Sequence, residues 1–172
     1  WETSNMVWSL LCAEKEFTEP VIVTYSDIVY REKVVQALLN FDATKDLVLT
    51  YDLEWQKLWE SRFEHPLTDA ESFKINSEGR ILEIGQRVQR REDIQGQYMG
   101  LLRFSPKAFT WFRDFVSRQP SSRVPKLDMT SVIGSLIQEG RPVFGASISG
   151  GWCEVDTPSD LALAQKLFPQ TT

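Results

Sequence analysis

Hydrophobic positions along the chain switch between a helical period and short unbroken runs. Over residues 4–17, Val7, Leu10, Leu11 and Glu14 fall at helical spacing, with Thr3 or Ser4 as the N-cap, which predicts a first helix. Residues 21–25, Val-Ile-Val-Thr-Tyr, form an apolar β-branched run of the kind found in an inner strand with both faces covered. Val34, Val35, Leu38 and Leu39 mark a helix over residues 32–40, and residues 47–51 form a second apolar run. Both runs stop on an aspartate, at Asp27 and Asp52. Trp55 and Trp59, four apart, form a packing stripe on a helix over residues 54–62.

Further on, residues 73–76 and 80–84 flank Ser77-Glu78-Gly79, a hairpin signal in which Gly79 supplies a positive φ. Residues 98–104 read as a strand. Pro106 at the first helical position opens a helix to about Ser117. Residues 129–139 read as a helix N-capped by Asp128 and closed by Gly140 and Pro142. Strands follow over 143–147 and 152–155, and a last helix follows Asp156-Thr157-Pro158. Helix, strand, helix and strand in turn predict an α/β domain, with a mainly parallel sheet, helices on both faces and a small antiparallel hairpin to one side.

At 172 residues the chain is long enough for one domain with a sizeable core. Its net charge of −5 argues against nucleic acid as a partner, because a phosphate backbone calls for a basic stripe. Arg87, Arg90 and Arg91 cluster but run into Glu92 and Asp93, as a solvated face does. Cys12 and Cys153 lack metal-ligand spacing and read as buried free thiols, which fits a reducing, cytoplasmic setting. The single histidine, His65, precedes Pro66 in a polar stretch and reads as a loop residue, leaving no zinc motif and no Ser-His-Asp triad. No run approaches the roughly 18 apolar residues of a membrane span, so no membrane partner is expected.

In open parallel sheets, ligands bind beyond the C-terminal ends of strands. Asp27 and Asp156 both stand at such ends, and carboxylates beside phosphate oxygens hold Mg²⁺, which takes one or two of them together with water and substrate oxygens. The competing reading is helix capping: Asp156 before Thr157-Pro158 could cap the last helix, and Asp52 reads as a cap.

Several separated segments carry a resemblance. They read PVIVTYSDIVY at residues 20–30, WESRFEHPLTDAESF at 59–73, GRILEIG at 79–85, QGQYMGLLRF at 95–104 and GWCEVDTPSDL at 151–161. In order and spacing they resemble the phosphocholine cytidylyltransferase-like branch of the sugar-nucleotidyltransferase superfamily, over nearly the whole chain. The resemblance implies a Rossmann-like, nucleotidyltransferase-type sheet and transfer of CMP from CTP to a phosphocholine- or phosphonate-type acceptor. Asp27 and Asp156 match the two Mg²⁺-binding, catalytic aspartates. Glu154, two residues before Asp156, points to the same strand face and becomes a candidate for the acceptor pocket. Tyr98 and Trp152 could meet a quaternary ammonium group by cation–π contact, or pack in the core. Asp128 is a candidate acceptor contact or a helix cap. Arg87 stands where relatives often carry a lysine near the phosphates.

One departure stands against these matches. Relatives begin with a strand and a glycine-rich loop whose backbone N–H groups wrap the triphosphate, and nothing here resembles that loop. Residues 1–172 are therefore expected to be a single partial, N-terminally truncated nucleotidyltransferase-like domain, inactive as the isolated chain. Its partners would be a nucleoside triphosphate and a small phosphorylated acceptor once completed. The alternative is a non-catalytic remnant, or a homo-oligomeric small-ligand-binding protein whose missing strands come from a partner chain. Either way, an open sheet edge is expected to be covered by another chain or by residues 1–17.

Overall fold

The computed structural model describes residues 5–169. The first helix, α1 (Met6–Cys12), is shorter than its periodicity predicts: Asn5 caps its start, with the Met6 N–H donating to the Asn5 side chain at 2.7 Å, and beyond Ala13 the chain tightens into a 3₁₀ turn over Glu14–Glu16. The predicted caps Thr3 and Ser4 lie outside the described residues. After a 3₁₀ turn come β1 (Val21–Thr24), β2 (Ile28–Tyr30), α2 (Glu32–Leu39), β3 (Leu47–Asp52) and α3 (Trp55–Arg62). The hairpin β4 (Glu71–Ile75) and β5 (Ile81–Arg87) follows, then β6 (Gln97–Phe104), α4 (Pro106–Ser117), α5 (Met129–Gln138), β7 (Val143–Ile148), β8 (Trp152–Glu154) and α6 (Pro158–Leu167).

The main sheet has the order β1-β6-β3-β7. β1, β3 and β7 run in one direction, while β6 is inserted between β1 and β3 and is antiparallel to both. The fold is thus α/β, with a mixed sheet in which three of the four strands share a direction. β3 is the central strand, and its six residues are all buried. Its side chains alternate between two cores, as a period of two requires. Leu47, Leu49 and Tyr51 join α1, α4, α5 and the hairpin on one face, while Val48 joins α2, α3 and α6 on the other.

β1 departs from the sequence reading. It is an edge strand whose residues are half-buried or exposed, not an inner strand. Val21 and Val23 pack towards one core and Ile22 towards the other, so an apolar run forms without a second strand neighbour. Among the described residues, no strand pairs with the outer edge of β1. α1 lies against one face of that strand and leaves the edge unpaired: Met6, Ser9 and Leu10 share a cleft with Val23 and Thr24.

β2 and β8 form a separate antiparallel ribbon that the sequence reading did not contain on the β2 side. The hairpin β4–β5 pairs as expected, with Gly79 at φ +76° in its turn. It abuts β7 through the Gly145 N–H, which donates to the Gly79 carbonyl at 3.0 Å. Ser105 caps α4 by accepting from Ala108 N, with Pro106 at the first helical position as predicted. Cys153 is buried and free. Cys12 is also free but exposed, contrary to the buried thiol expected, because it faces away from Val7 and Leu10, the buried side of α1. His65 is exposed, and no helix among the described residues is long and apolar enough to cross a membrane.

Candidate active site

The ribbon β2–β8 and the ends of β6 and α5 converge on one cavity of about 390 Å³. Tyr98, Asp128, Trp152, Glu154 and Asp156 all line it, and Asp69, Glu71, Tyr25 and Trp59 are among the other residues of its wall. Asp27 lines an adjoining cleft that shares Met6, Tyr25 and Met129 with this cavity. The ribbon explains the juxtaposition of two aspartates far apart in sequence. Ile28 pairs with Glu154, and one step further the Val155 N–H donates to the Asp27 carbonyl at 2.8 Å. Six of the seven sequence-derived site residues therefore gather here. Arg87 does not: it is exposed and lines a neighbouring depression, with Asp69 and Glu71 at the shared rim.

Asp156 is not the cap of α6. Thr157 takes that place in a reciprocal capping box with Asp160, a pattern legible in Thr-Pro-Ser-Asp that the sequence reading passed over. Asp156 is instead bound to Arg62, the last residue of α3. The Arg62 guanidinium donates from Nη1 to Glu154 at 2.7 Å, from Nη2 to Asp156 at 2.9 Å and from Nε to Asp160 at 2.9 Å. Its side chain is 1% exposed, and its planar group lies 5.0 Å from the Phe63 ring centre. Burial works against the Arg62 charge, but the bonds to Asp160 and Glu154 outweigh it and hold the charged form firmly. Burial alone would push Asp160 up; the hydrogen bonds from Arg62 and Thr157 win and hold its carboxyl below the usual range. Glu154 is raised by its burial, with Arg62 only partly offsetting this and Asp156 and Asp27 adding to it.

Asp52 is not a helix cap either. It is fully buried at the end of β3 and accepts three N–H groups, those of Glu54, Gly150 and the Trp152 indole, each at 2.9 Å. Trp152 is 3% exposed and packs beside Trp59 at 6.0 Å between ring centres, so it belongs to the core while also lining the cavity. Tyr98 stands edge-on to Tyr25 at 5.9 Å, with its hydroxyl oxygen buried, and burial pushes its pKa well up. Asp128 caps α5, accepting from Ser131 N at 2.7 Å, and still lines the cavity. Thr130 bridges it to Glu71, whose pKa is raised by burial and then by the charges of Asp128 and Asp69.

No group of three metal-ligating side chains stands together among the described residues. Among the described residues, then, no more than two carboxylates stand together to meet a cation here. Asp27 is exposed and makes no side-chain hydrogen bond or ion pair among the described residues, and Asp156 keeps Oδ1 uncommitted. Carboxylate oxygens of this kind are the donor type that Mg²⁺ takes, one or two at a time, beside water and phosphate oxygens. A larger, mostly apolar cleft of about 550 Å³ beside Trp8, Leu11, Val116 and Val124 has no carboxylate in its lining.

No family model matches the chain. The CTP:phosphoglutamine cytidylyltransferase of Campylobacter jejuni is 34% identical across 94% of this chain and 67% of its own length. A Bacillus anthracis structure assigned as a glucose-1-phosphate thymidylyltransferase, in complex with sucrose, superposes with a TM-score of 0.72 at 14% identity, covering 100% of this chain and 64% of that one. The inositol-1-phosphate CTP transferase of T. maritima superposes with a TM-score of 0.73 at 17% identity, covering 96% and 61%. The chain therefore spans about two thirds of the length of these proteins, and the two structures bear on the fold alone. With one third of its residues identical to a cytidylyltransferase over two thirds of that protein, the chain belongs to the phosphocholine cytidylyltransferase-like branch of the sugar-nucleotidyltransferase superfamily.

Proposed function

We propose that the chain supplies the acceptor side of a cytidylyltransferase that moves CMP from CTP to a small phosphorylated acceptor. The supporting observation is the meeting of Asp128, Glu154 and Asp156 in one cavity, with Asp27 in the cleft beside it. In the reaction an acceptor phosphate or phosphonate oxygen forms a bond to the α-phosphorus of CTP, and the bond from that phosphorus to the departing pyrophosphate oxygen breaks. No side chain acts as nucleophile. Asp27 and Asp156 would hold Mg²⁺, which when bound neutralises charge on the phosphates. The chain's own residues position: Glu154 and Asp128 face the acceptor, and the cavity walls limit its size.

Five carboxylates line the cavity, those of Asp69, Glu71, Asp128, Glu154 and Asp156, and two of them are paired to Arg62. That surplus of negative charge favours an acceptor with a cationic end, as in phosphocholine or an aminoalkyl phosphonate. The relative acts on phosphoglutamine, which is a third candidate. The triphosphate cradle would come from a glycine-rich loop that residues 1–172 do not contain, so the isolated chain would be inactive. The edge of β1, unpaired among the described residues, favours a second reading, in which a strand of another copy completes the sheet and the protein binds a small ligand without turnover.

The test is pyrophosphate release from CTP with phosphocholine, phosphoglutamine and 2-aminoethylphosphonate in turn, using both this chain and a form completed with a glycine-rich loop segment. Turnover is expected from the completed form only. Asp27→Asn and Asp156→Asn should each lower it by about 10²–10³, the scale of losing one preorganised electrostatic group. Turnover by residues 1–172 alone would refute the need for the loop. Binding of an acceptor without turnover by either form would support the second reading.

A further inference from the structure

Two observations about Arg62 stand apart from the reaction itself. A guanidinium this deeply buried is anchored from several sides: Asp160, itself fixed by the capping box of α6, holds Nε, and the Phe63 ring packs close by. From that anchorage Nη2 reaches Asp156 and donates to one carboxylate oxygen, Oδ2, at 2.9 Å. Asp156 itself is half exposed, with 53% of its side-chain surface accessible, and it lines the cavity with Oδ1 free of any hydrogen bond among the described residues.

We propose that Arg62 is a positioning residue for Asp156: by holding Oδ2 it leaves Oδ1 alone to meet a cation and restricts this carboxylate to a single-oxygen contact. The inference rests on the metal role proposed above for Asp156. Its consequence is a choice between ions. Mg²⁺ takes six ligands in a tight octahedron and usually one oxygen per carboxylate, whereas Ca²⁺ accepts six to eight and readily takes both oxygens of one carboxylate. A carboxylate with one oxygen already bound to a fixed arginine suits the first and penalises the second. Glu154 is held the same way, with Oε2 on Nη1 at 2.7 Å, so it cannot swing in to supply a two-oxygen contact without breaking a buried ion pair.

Charge and geometry act differently on this choice, which makes the role measurable. Removing the Arg62 charge makes the site more negative and strengthens binding of both divalent ions alike. Releasing Oδ2 favours Ca²⁺ alone, so the ratio of the two affinities reports positioning. The measurement uses Mn²⁺ bound to the folded chain, followed by electron paramagnetic resonance, with Mg²⁺ and Ca²⁺ as competitors. Arg62→Met should lower the preference for Mg²⁺ over Ca²⁺ by about tenfold, the scale on which outer-sphere partners tune metal sites. Arg62→Lys keeps the charge but not the planar fork, so it should fold even where Arg62→Met does not, and its ratio should fall at least about threefold. A Mg²⁺ to Ca²⁺ ratio unchanged in Arg62→Lys, or in folded Arg62→Met, overturns the proposal while leaving the metal reading intact. Asp156→Asn is the separate control: if it binds Mn²⁺ as the parent does, the metal reading of Asp156 fails and this inference fails with it.

Discussion

Asp52 offers a sharp test of how the site is held, because one buried carboxylate serves three N–H groups, one from Glu54 and two from the distant segment Gly150–Trp152. In Asp52→Asn the amide oxygen can keep the Glu54 and Gly150 N–H groups, but its NH₂ then meets the Trp152 indole N–H, donor against donor. A hydrogen bond to a charged acceptor contributes about 1.5–3 kcal/mol, and leaving the buried indole N–H unpaired removes that contribution. A loss of about 2 kcal/mol is therefore expected, which for a chain of this size lowers Tm by about 4–8 °C. Trp152→Phe removes the donor instead of the acceptor. It has its own packing cost beside Trp59, which a double-mutant cycle subtracts. In the Trp152→Phe background, Asp52→Asn should cost at least about 1 kcal/mol less than in the parent chain. Urea unfolding followed by far-UV circular dichroism, on all four variants, gives the coupling. A coupling below about 0.3 kcal/mol would show that Asp52 acts through its backbone contacts, and the account of Trp152 as tethered by this carboxylate would be wrong.

Gly100 sits in β6 at φ +84°, and an added Cβ would lie 2.8 Å from the Tyr25 ring. Gly100→Ala should cost about 1–2 kcal/mol from the left-handed backbone alone, and more from displacing Tyr25; a variant as stable as the parent in urea would refute the strain. Glu71 has its folded pKa raised above the unfolded 4.5 by burial, then by Asp128 and Asp69. The folded chain thus holds this proton more tightly, and the stability it contributes is full below 4.5 and is lost as pH rises through the folded pKa. Glu71→Gln should therefore raise Tm at pH 7–8, with the gain shrinking towards pH 4.5; a gain that grows on acidification would contradict the sign.

The sequence by itself determined the elements whose signals are local. The period of α2, α4 and α5, the Pro106 and Asp128 helix starts and the Gly79 turn follow from backbone sterics and from caps within a few residues. Helices on both faces followed from apolar runs too continuous for a one-sided sheet, and the aspartates closing residues 27 and 156 were legible as strand-end groups. Only the tertiary structure decided what lies beside what. The apolar run of β1 looks the same at an edge as at the centre, because burial of its side chains comes from the faces while its rank in the sheet comes from hydrogen bonding with β6. An arginine in the last turn of α3 reads locally as a residue suited to the helix dipole. Its carboxylate partners lie 92 to 98 positions further on, and nothing local distinguishes them from other surface acids. They meet because β8 turns back along β2 and delivers Glu154, Asp156 and Asp160 to the end of α3, where a buried guanidinium charge is tolerated only when acids surround it.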